Sequence, residues 1–215
     1  METDVLSYDA EPPNSGLIAT FYSFKGGVGR TMALANIAIL IAKRGLNVLA
    51  VDFDLEAPGL DRYFTTLAFA KNPKGLMDLL LDARSSYPKR PNWHSYISGV
   101  NSPDIGNKLF VLTAGTEDLD YPKKVLSFDW RDFFLRSGGG DFLESLRDEW
   151  RNEFDVVLID SRTGITDSGG ICTIQLPDVL IPVFTCTEQS LNGAINVVNL
   201  GSIEFGVGWR EGRSE

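Results

Sequence analysis

Short apolar runs alternate with helical patterns through the first quarter of the chain. The run from Leu17 to Phe24 ends at a glycine-rich turn, and the segment from Thr31 to Lys43 has the apolar spacing of a buried helix. Gly45 ends this helix, and Asn47 to Asp52 form a second short apolar run. We therefore predict a βαβ crossover with parallel strands.

The same alternation continues towards the C-terminus. Each predicted strand is a nearly continuous apolar run, which is typical of parallel strands covered on both faces. We therefore expect an α/β fold: a mostly parallel, doubly wound sheet with helices on both faces, in three layers (α/β/α). Further strands are expected at Leu109–Thr113, Asp155–Asp160 and Val179–Thr185, and further helices at Gly75–Leu81, Phe142–Trp150 and Ser190–Leu200.

Two segments break these patterns. Pro182 lies inside the last predicted strand, which indicates an edge position, a local bulge or a wrong strand boundary. Tyr87 to Asn107 carries prolines, asparagines and glycines without periodicity, and we interpret it as a surface insertion. A length of 215 residues suits one large domain. We divide the chain into a flexible acidic tail (1–15), a single domain (16–205) and a ragged or truncated end (206–215).

Composition and charge exclude several classes. The hydrophobic content of 43% and charged content of 23% are typical of a globular protein. The net charge of −9 repels nucleic acid and anionic lipid, so DNA is not an expected partner. The acidic N-terminus does not resemble a secretory signal, and no apolar segment reaches the ~18 residues that span a membrane. We expect a cytoplasmic protein in which Cys172 and Cys186 are reduced packing residues.

The turn after the first predicted strand has the features of a phosphate-binding loop. Gly26, Gly27 and Gly29 allow backbone amides to converge on an anion at a helix N-terminus, where the helix dipole also favours negative charge. The loop departs from the standard G-x-x-x-x-G-K-[ST] pattern, because Phe24 replaces the first glycine and Arg30 replaces the lysine.

The loop resembles instead the deviant Walker A signature K-G-G-x-G-K-[ST] of the MinD/ParA-like (SIMIBI) P-loop ATPases. The resemblance covers roughly residues 16 to 200 and implies that 16–205 is a P-loop ATPase domain. It implies ATP and Mg²⁺ as ligands, with Lys25 reaching the phosphates of a partner in a nucleotide-dependent homodimer and Thr31 ligating the metal. The matching residues are Lys25, Gly26, Gly27, Val28, Gly29, Arg30 and Thr31, and Met32 follows as the last expected nucleotide contact.

Two later motifs strengthen the resemblance. Val51 to Asp54 resembles switch I, which implies that Asp52 lies near the magnesium shell and that Asp54 positions the attacking water. Val156 to Asp160 resembles Walker B, which implies that Asp160 contacts the metal. Gly164 matches the switch II glycine that follows the γ-phosphate. The resemblance thus implies Lys25, Arg30 and Asp54 as catalytic residues, and Thr31, Asp52 and Asp160 as metal-binding residues.

The predicted function is an ATP- and Mg²⁺-dependent ATPase that hydrolyses slowly and acts as a dimerising molecular switch with an unidentified protein partner. The motif wording is similar to that of a bacterial subgroup often fused to other modules in signalling or conflict-defence proteins. Because arginine differs from lysine in shape and hydration, a non-hydrolysing nucleotide-binding or interaction module is the alternative. A partition-type DNA-carrying ATPase is a third possibility, which the acidic charge opposes.

Three minor assignments stay open between function and packing. Arg162 is either an arginine finger near the phosphates or a partner of a carboxylate such as Asp52 or Asp167. His94, the single histidine, has no evident catalytic partners, and we interpret it as structural. The aromatic residues could form a partner surface, although packing is the more common role. They are Trp93, Tyr96, Trp130, Phe133 and Phe134.

Overall fold

The computed structural model describes residues 15–65, 67–116, 118–163, 171 and 175–211. Within these residues, seven strands form one sheet in the order β3-β4-β5-β2-β6-β1-β7. The strands are β1 (Leu17–Tyr22), β2 (Val48–Asp52), β3 (Ala68–Phe69), β4 (Ser98–Ser102), β5 (Gly106–Leu112), β6 (Val156–Asp160) and β7 (Val179–Pro182). The helices are α1 (Arg30–Lys43), α2 (Leu76–Ser86), α3 (Tyr121–Ser127), α4 (Trp130–Arg136), α5 (Gly139–Glu153) and α6 (Glu188–Glu211).

The five strands from β5 to β7 are parallel, as the continuous apolar runs predict. β4 and β3 extend the sheet in antiparallel orientation beyond β5. At the opposite edge lies β7, and Pro182 is its last residue. The predicted edge position of this proline is confirmed, although the strand ends three residues earlier than expected.

Successive residues of the central strands enter two separate cores, one on each face of the sheet. Leu49, Val157 and Ile159 pack with α2 and α5, whereas Ala50 and Leu158 pack with α1. β2 is buried along its whole length because both of its faces are covered. The predicted three-layer α/β/α fold is therefore confirmed, and it brings the carboxyl ends of the parallel strands to one edge.

The prediction for residues 87–107 was wrong. This segment contains β4, which pairs with β5, and a short 3-10 turn in which Trp93 and Tyr96 are buried. β4 has little apolar character of its own, because Val100 is its one apolar side chain. Pairing with β5 therefore stabilises a strand that local periodicity does not reveal.

Several helix boundaries also differ from the prediction. α2 continues to Ser86, and α3 and α4 occupy a stretch for which no element was expected. α6 continues through residues 206–211, where we expected irregular structure. The glycines in this segment lower its helix propensity, but they do not prevent a helix. The tail at 1–14, and residues 212–215, lie outside the described residues, so the division into domains stays a prediction.

The aromatic residues of the middle segment are packing residues, which confirms the more common interpretation. Trp93 and Phe133 are buried in the core, and Trp130 and Phe134 pack against it. His94 stacks on Trp93 with ring centroids 3.9 Å apart. Its Nε2 lies 2.7 Å from Glu153, and the described residues contain no cluster of metal-ligating side chains based on His, Cys, Asp and Glu. His94 thus packs on Trp93 and contacts Glu153, and its structural role stays a prediction.

Two further expectations have mixed outcomes. Cys186 is exposed, so the prediction that it packs in the interior was wrong; it is not in a disulfide. Cys172 lies outside the described residues. Within the part of the chain that the structure describes, no helix is long and apolar enough to cross a membrane.

Candidate functional site

Three neighbouring parallel strands end at the same edge of the sheet and carry the predicted motifs there. β6 lies between β1 and β2, with Asp160 in register with both Phe21 and Asp52. Crevices at the carboxyl ends of parallel strands are the common ligand sites of α/β folds. The fold therefore brings the glycine-rich loop and the acidic strand ends together, as the order of the motifs along the chain predicted.

The loop after β1 has a backbone that requires glycine at two positions. Gly27 has a φ of 75° and Gly29 a φ of 85°, in the left-handed region that side chains with a β-carbon rarely adopt. Gly29 directly precedes α1, whose first amides have no carbonyl partner within the helix. The helix N-terminus therefore presents unpaired donors and the positive end of its dipole to the loop.

A cleft of about 450 Å³ opens at this helix N-terminus. Seven predicted nucleotide contacts line it: Gly26, Gly27, Val28, Gly29, Arg30, Thr31 and Met32. Asp54 also lines it, together with residues that the sequence motifs did not identify. Those are Ser23, Ala57, Tyr63 and Thr163. Ser23 lies two residues before the loop motif and Thr163 directly precedes Gly164, whereas Tyr63 reaches the cleft through the 3-10 turn Leu60–Phe64.

The side chain of Arg30 does not project into solvent but is buried beneath the loop. Its Nε donates to Asp160 Oδ1 at 2.5 Å, Nη2 donates to Asp54 Oδ2 at 2.8 Å, and Nη1 donates to Ser23 Oγ at 3.2 Å. Burial lowers the pKa of Arg30, but the carboxylates of Asp160 and Asp54 outweigh this effect and raise it. The planar guanidinium thus connects the start of α1 with the ends of two strands.

Thr31 closes the same cluster from the next position of the helix. Its hydroxyl donates to Asp160 Oδ2 at 2.6 Å, so both carboxylate oxygens of Asp160 are engaged. Burial raises the pKa of Asp160 above its usual value, although Arg30 and Thr31 oppose that effect. Thr31 and Asp160, the two residues predicted to contact a metal from the loop and from Walker B, are therefore in direct contact with each other.

Asp52 has a different environment, although it lies only two residues before Asp54. Its Oδ2 accepts from the amides of Gly59 and Leu60, each at 3.0 Å, and its Oδ1 accepts from the amide of Asp54 at 3.2 Å. Burial, with a contribution from nearby Asp160, raises the pKa of Asp52 to about 7. The carboxyl group thus holds the loop that follows β2, and its predicted role near a metal stays a prediction.

Lys25, at the start of the loop, contacts helix α6 of its own chain. Its Nζ donates to Gln189 Oε1 at 2.5 Å. One turn further along α6, Gly193 faces the ring of Phe24 so closely that a β-carbon there would lie 2.1 Å from the nearest ring atom. α6 is therefore packed directly against the beginning of the loop, a relationship that no local sequence signal indicates.

Arg162 forms an ion pair with Glu56, so its guanidinium links the segment after β6 to the segment after β2. This carboxylate is neither of the two that we considered from the sequence. Gly164 and Asp167 lie outside the described residues. Of the predicted site residues, Arg30, Thr31, Asp54 and Asp160 converge in one cluster, Asp52 lies beside it, and Lys25 lies at the start of the loop.

Comparison with known proteins finds a family match that spans the loop and the acidic strand ends. The family profile of the "CobQ/CobB/MinD/ParA nucleotide binding domain" matches residues 19–176. Among curated proteins, the chain is 27% identical over 185 residues to the septum site-determining protein MinD of Helicobacter pylori. This similarity covers 86% of the chain, which spans 58% of the length of that relative.

Solved structures share the fold. The cell division ATPase MinD of Pyrococcus furiosus superimposes with a TM-score of 0.66 at 23% identity, covering 88% of this chain and 68% of that one. The septum site-determining protein MinD of Pyrococcus horikoshii, complexed with Mg-ADP, has a TM-score of 0.64 at 22% identity, covering 86% and 64%. At these identities the structures show the fold alone. The family match over more than half of the sequence goes further: the chain belongs to the CobQ/CobB/MinD/ParA nucleotide-binding domain family, as its motifs predicted.

Proposed function

We propose that this domain binds ATP with Mg²⁺, hydrolyses it slowly and acts as a nucleotide-dependent dimerising switch. The observation that carries the proposal is the convergence of the cleft at the N-terminus of α1 with the cluster of Arg30, Thr31, Asp54 and Asp160. Unpaired amides suit phosphate oxygens, and a neighbouring set of hydroxyl and carboxylate oxygens suits a hard divalent cation.

The charge balance of the site supports a divalent cation. Asp52, Asp54 and Asp160 are buried carboxyl groups, and Arg30 is the only buried cationic side chain among the described residues of this cluster. Thr31 and Asp160 would hold Mg²⁺, whose chemistry is to neutralise the charge that develops on transferring phosphoryl oxygens. The complex of Mg-ADP with the MinD of Pyrococcus horikoshii supports the proposed combination of a nucleotide with Mg²⁺.

The residues of the proposed site then have distinct roles. The loop amides bind the phosphates, and Arg30 and Lys25 provide positive charge towards them. Asp54 borders the cleft and is 9% exposed, so its carboxylate can orient a water molecule there. Within a dimer, we propose that Lys25 leaves Gln189 and reaches the phosphates bound by the partner.

Nucleotide binding and turnover are tested on the same variants. ATP affinity would be measured with a fluorescent ATP analogue, with and without Mg²⁺, and turnover by phosphate release. We expect Asp54→Ala to retain ATP affinity within a few-fold and to lose about 100-fold in turnover, because general-base and water-positioning groups contribute roughly that much. Lys43→Ala is the matched control, since Lys43 lies at the other end of α1 in an exposed ion pair with Asp104.

Two results would contradict the proposal. If the wild-type chain binds no ATP in the presence of Mg²⁺, the nucleotide-binding function is wrong. If it binds ATP but turnover stays at background, the alternative of a non-hydrolysing module is correct. One observation favours that alternative: Arg30 stands where family members carry lysine, and its guanidinium is held in two buried ion pairs.

Dimerisation is tested separately by light scattering with a non-hydrolysable ATP analogue. We expect the molar mass to double with the analogue for the wild type and to stay at one chain for Lys25→Ala. Doubling in both variants would contradict the role proposed for Lys25. We also propose, on the motif resemblance alone, that the domain serves as a switch in a larger signalling or defence protein.

A further inference from the structure

Arg30 occupies the position where the ligands of a divalent cation converge. Its Nε donates a hydrogen bond to Oδ1 of Asp160 at 2.5 Å, and the hydroxyl of Thr31 donates to Oδ2 at 2.6 Å. Nη2 of the same guanidinium takes Asp54 Oδ2 at 2.8 Å. In this arrangement both oxygens of Asp160 and the hydroxyl of Thr31 are already used in hydrogen bonds.

We propose that Arg30 and a divalent cation compete for Asp160, so that the cation enters only when nucleotide phosphates draw the guanidinium away from the carboxylates. Arg30 is then a positioning residue with two alternative anionic partners, the carboxylates or the phosphates. The inference rests on the proposed function, because it assigns an order of binding to that same site.

Electrostatic repulsion opposes binding of a divalent cation to Asp160 while the guanidinium of Arg30 remains paired with it. Arg30 is 6% exposed and Asp160 is 1% exposed, so water screens little of the interaction between a second cation and the guanidinium. An arginine side chain does not lose its proton at accessible pH, so it cannot relieve this repulsion by deprotonation. The guanidinium must therefore move before a divalent cation can be held by Asp160.

The first residue of α1 has a second anionic partner within reach. Arg30 lines the cleft at the N-terminus of α1, so a phosphate bound there would lie beside this residue. Movement from the carboxylates to a phosphate exchanges one charge-assisted hydrogen-bond partner for another. Nucleotide binding and exposure of Asp160 to the cation are thereby coupled.

Arginine suits this role better than lysine because of its shape. Its three nitrogen atoms donate to Asp160, Asp54 and Ser23 at the same time. A lysine has a single nitrogen at the end of a flexible chain and cannot bridge all three groups with the same geometry. Arg30→Lys therefore keeps the charge and weakens the competition, whereas Arg30→Gln removes both.

The test uses Mn²⁺ as the probe and needs no turnover. The full chain without nucleotide is titrated with Mn²⁺, and unbound Mn²⁺ is quantified by electron paramagnetic resonance. We expect Arg30→Gln to bind one Mn²⁺ about tenfold more tightly than the wild type, or more, which is an ordinary size for coupled binding. Arg30→Lys should be intermediate, and the double variant Arg30→Gln/Asp160→Asn should lose the gain.

A matched control removes an arginine far from the site. Arg136 is 83% exposed at the end of α4, and Arg136→Gln should leave Mn²⁺ affinity at the wild-type value. Circular dichroism checks that each variant is folded, and Arg30→Lys carries the test if Arg30→Gln is not. Equal Mn²⁺ affinity for the wild type and the folded Arg30 variants would overturn the proposal.

A second arm adds a non-hydrolysable ATP analogue and compares it with the same analogue and Mn²⁺ without protein. We expect the wild type to gain a tight Mn²⁺ site with the analogue. Binding of the analogue without any gain in Mn²⁺ would overturn the exchange while leaving nucleotide binding intact. Failure to bind the analogue would instead refute the proposed function, and the first arm would still report on the competition.

Discussion

Arg30 and Asp160 form a buried ion pair, 2.5 Å between Nε and Oδ1, at the junction of the loop, α1 and β6. The side chains are 6% and 1% exposed. The pair joins two motifs that lie 130 residues apart in the sequence. It links the start of α1, directly after the glycine-rich loop, to the carboxyl edge of the sheet.

Removal of the arginine should destabilise the protein substantially. Arg30→Ala leaves Asp160 and Asp54 buried without their cationic partner, and loss of one member of a buried pair costs about 3–5 kcal/mol. Urea unfolding at neutral pH measures this loss. Arg136→Ala, at an exposed and distant pair 3.6 Å long, should change stability by less than about 1 kcal/mol. A loss below about 1 kcal/mol for Arg30→Ala would show that the pair is not maintained in solution.

Substitution of Gly193 should alter the loop through α6. A β-carbon at this position would lie 2.1 to 2.6 Å from three ring atoms of Phe24, so either the ring or the helix must move. We expect Gly193→Ala to cost about 1–3 kcal/mol in stability and to weaken ATP binding, since Phe24 adjoins Lys25. Fluorescent-analogue titration and urea unfolding measure the two effects.

Gly140→Ala in α5 is the control for Gly193→Ala. The nearest atom to its added β-carbon would be a ring carbon of Phe134 at 3.8 Å, an ordinary contact. Helix propensity then favours alanine by up to about 1 kcal/mol, with no effect on ATP affinity. Unchanged ATP affinity in Gly193→Ala would argue against communication between α6 and the loop.

Two glycines with positive φ, Gly29 and Gly45, allow the effect of backbone strain on stability to be distinguished from an effect on ATP binding. Gly29→Ala and Gly45→Ala place a side chain at φ values of 85° and 88°, at the two ends of α1. Each should cost about 1–2 kcal/mol in stability. Only Gly29→Ala should weaken ATP binding, by about tenfold or more, because its amide belongs to the loop that we propose binds the phosphates. Equal affinity in the two variants would contradict the assignment of this loop.

The raised pKa of Asp52 should make the stability of the protein depend on pH. Its pKa rises from 3.8 to about 7 in the folded protein, so the folded state binds more protons than the unfolded chain between these values. Stability from this group is therefore complete below about pH 4 and decreases as the pH rises to about 7, at about 1.4 kcal/mol for each pKa unit at most.

Comparison with Asp52→Asn isolates this contribution. The amide keeps an oxygen for the backbone donors at Gly59 and Leu60, but its NH₂ group faces the amide of Asp54. The variant should be less stable than the wild type near pH 4 and should lose less stability on going to pH 7. Unfolding curves at several pH values measure the difference, and parallel pH profiles would show that Asp52 does not titrate in this range.

The sequence predicted which residues of the candidate site lie together, because the signals for these residues are local. Glycines with unusual φ values, a helix immediately after them and aspartates at the ends of apolar strands are all written within short segments. Parallel strands then bring their carboxyl ends to one edge. The convergence of Arg30, Thr31, Asp54 and Asp160 follows from this order of elements.

What only the tertiary structure decided are the contacts between segments without a shared local pattern. β4 exists because β5 provides its hydrogen-bond partner, and the partner of Arg162 is Glu56, which no motif indicates. The burial of Arg30 depends on two carboxylates and a hydroxyl from three different parts of the chain. The sequence by itself determined the family and the parallel strands with the helix that follows the loop, and it predicted the residues of the candidate site. Packing decided which charges face each other, because electrostatic partners are selected by distance in space and not by separation along the chain.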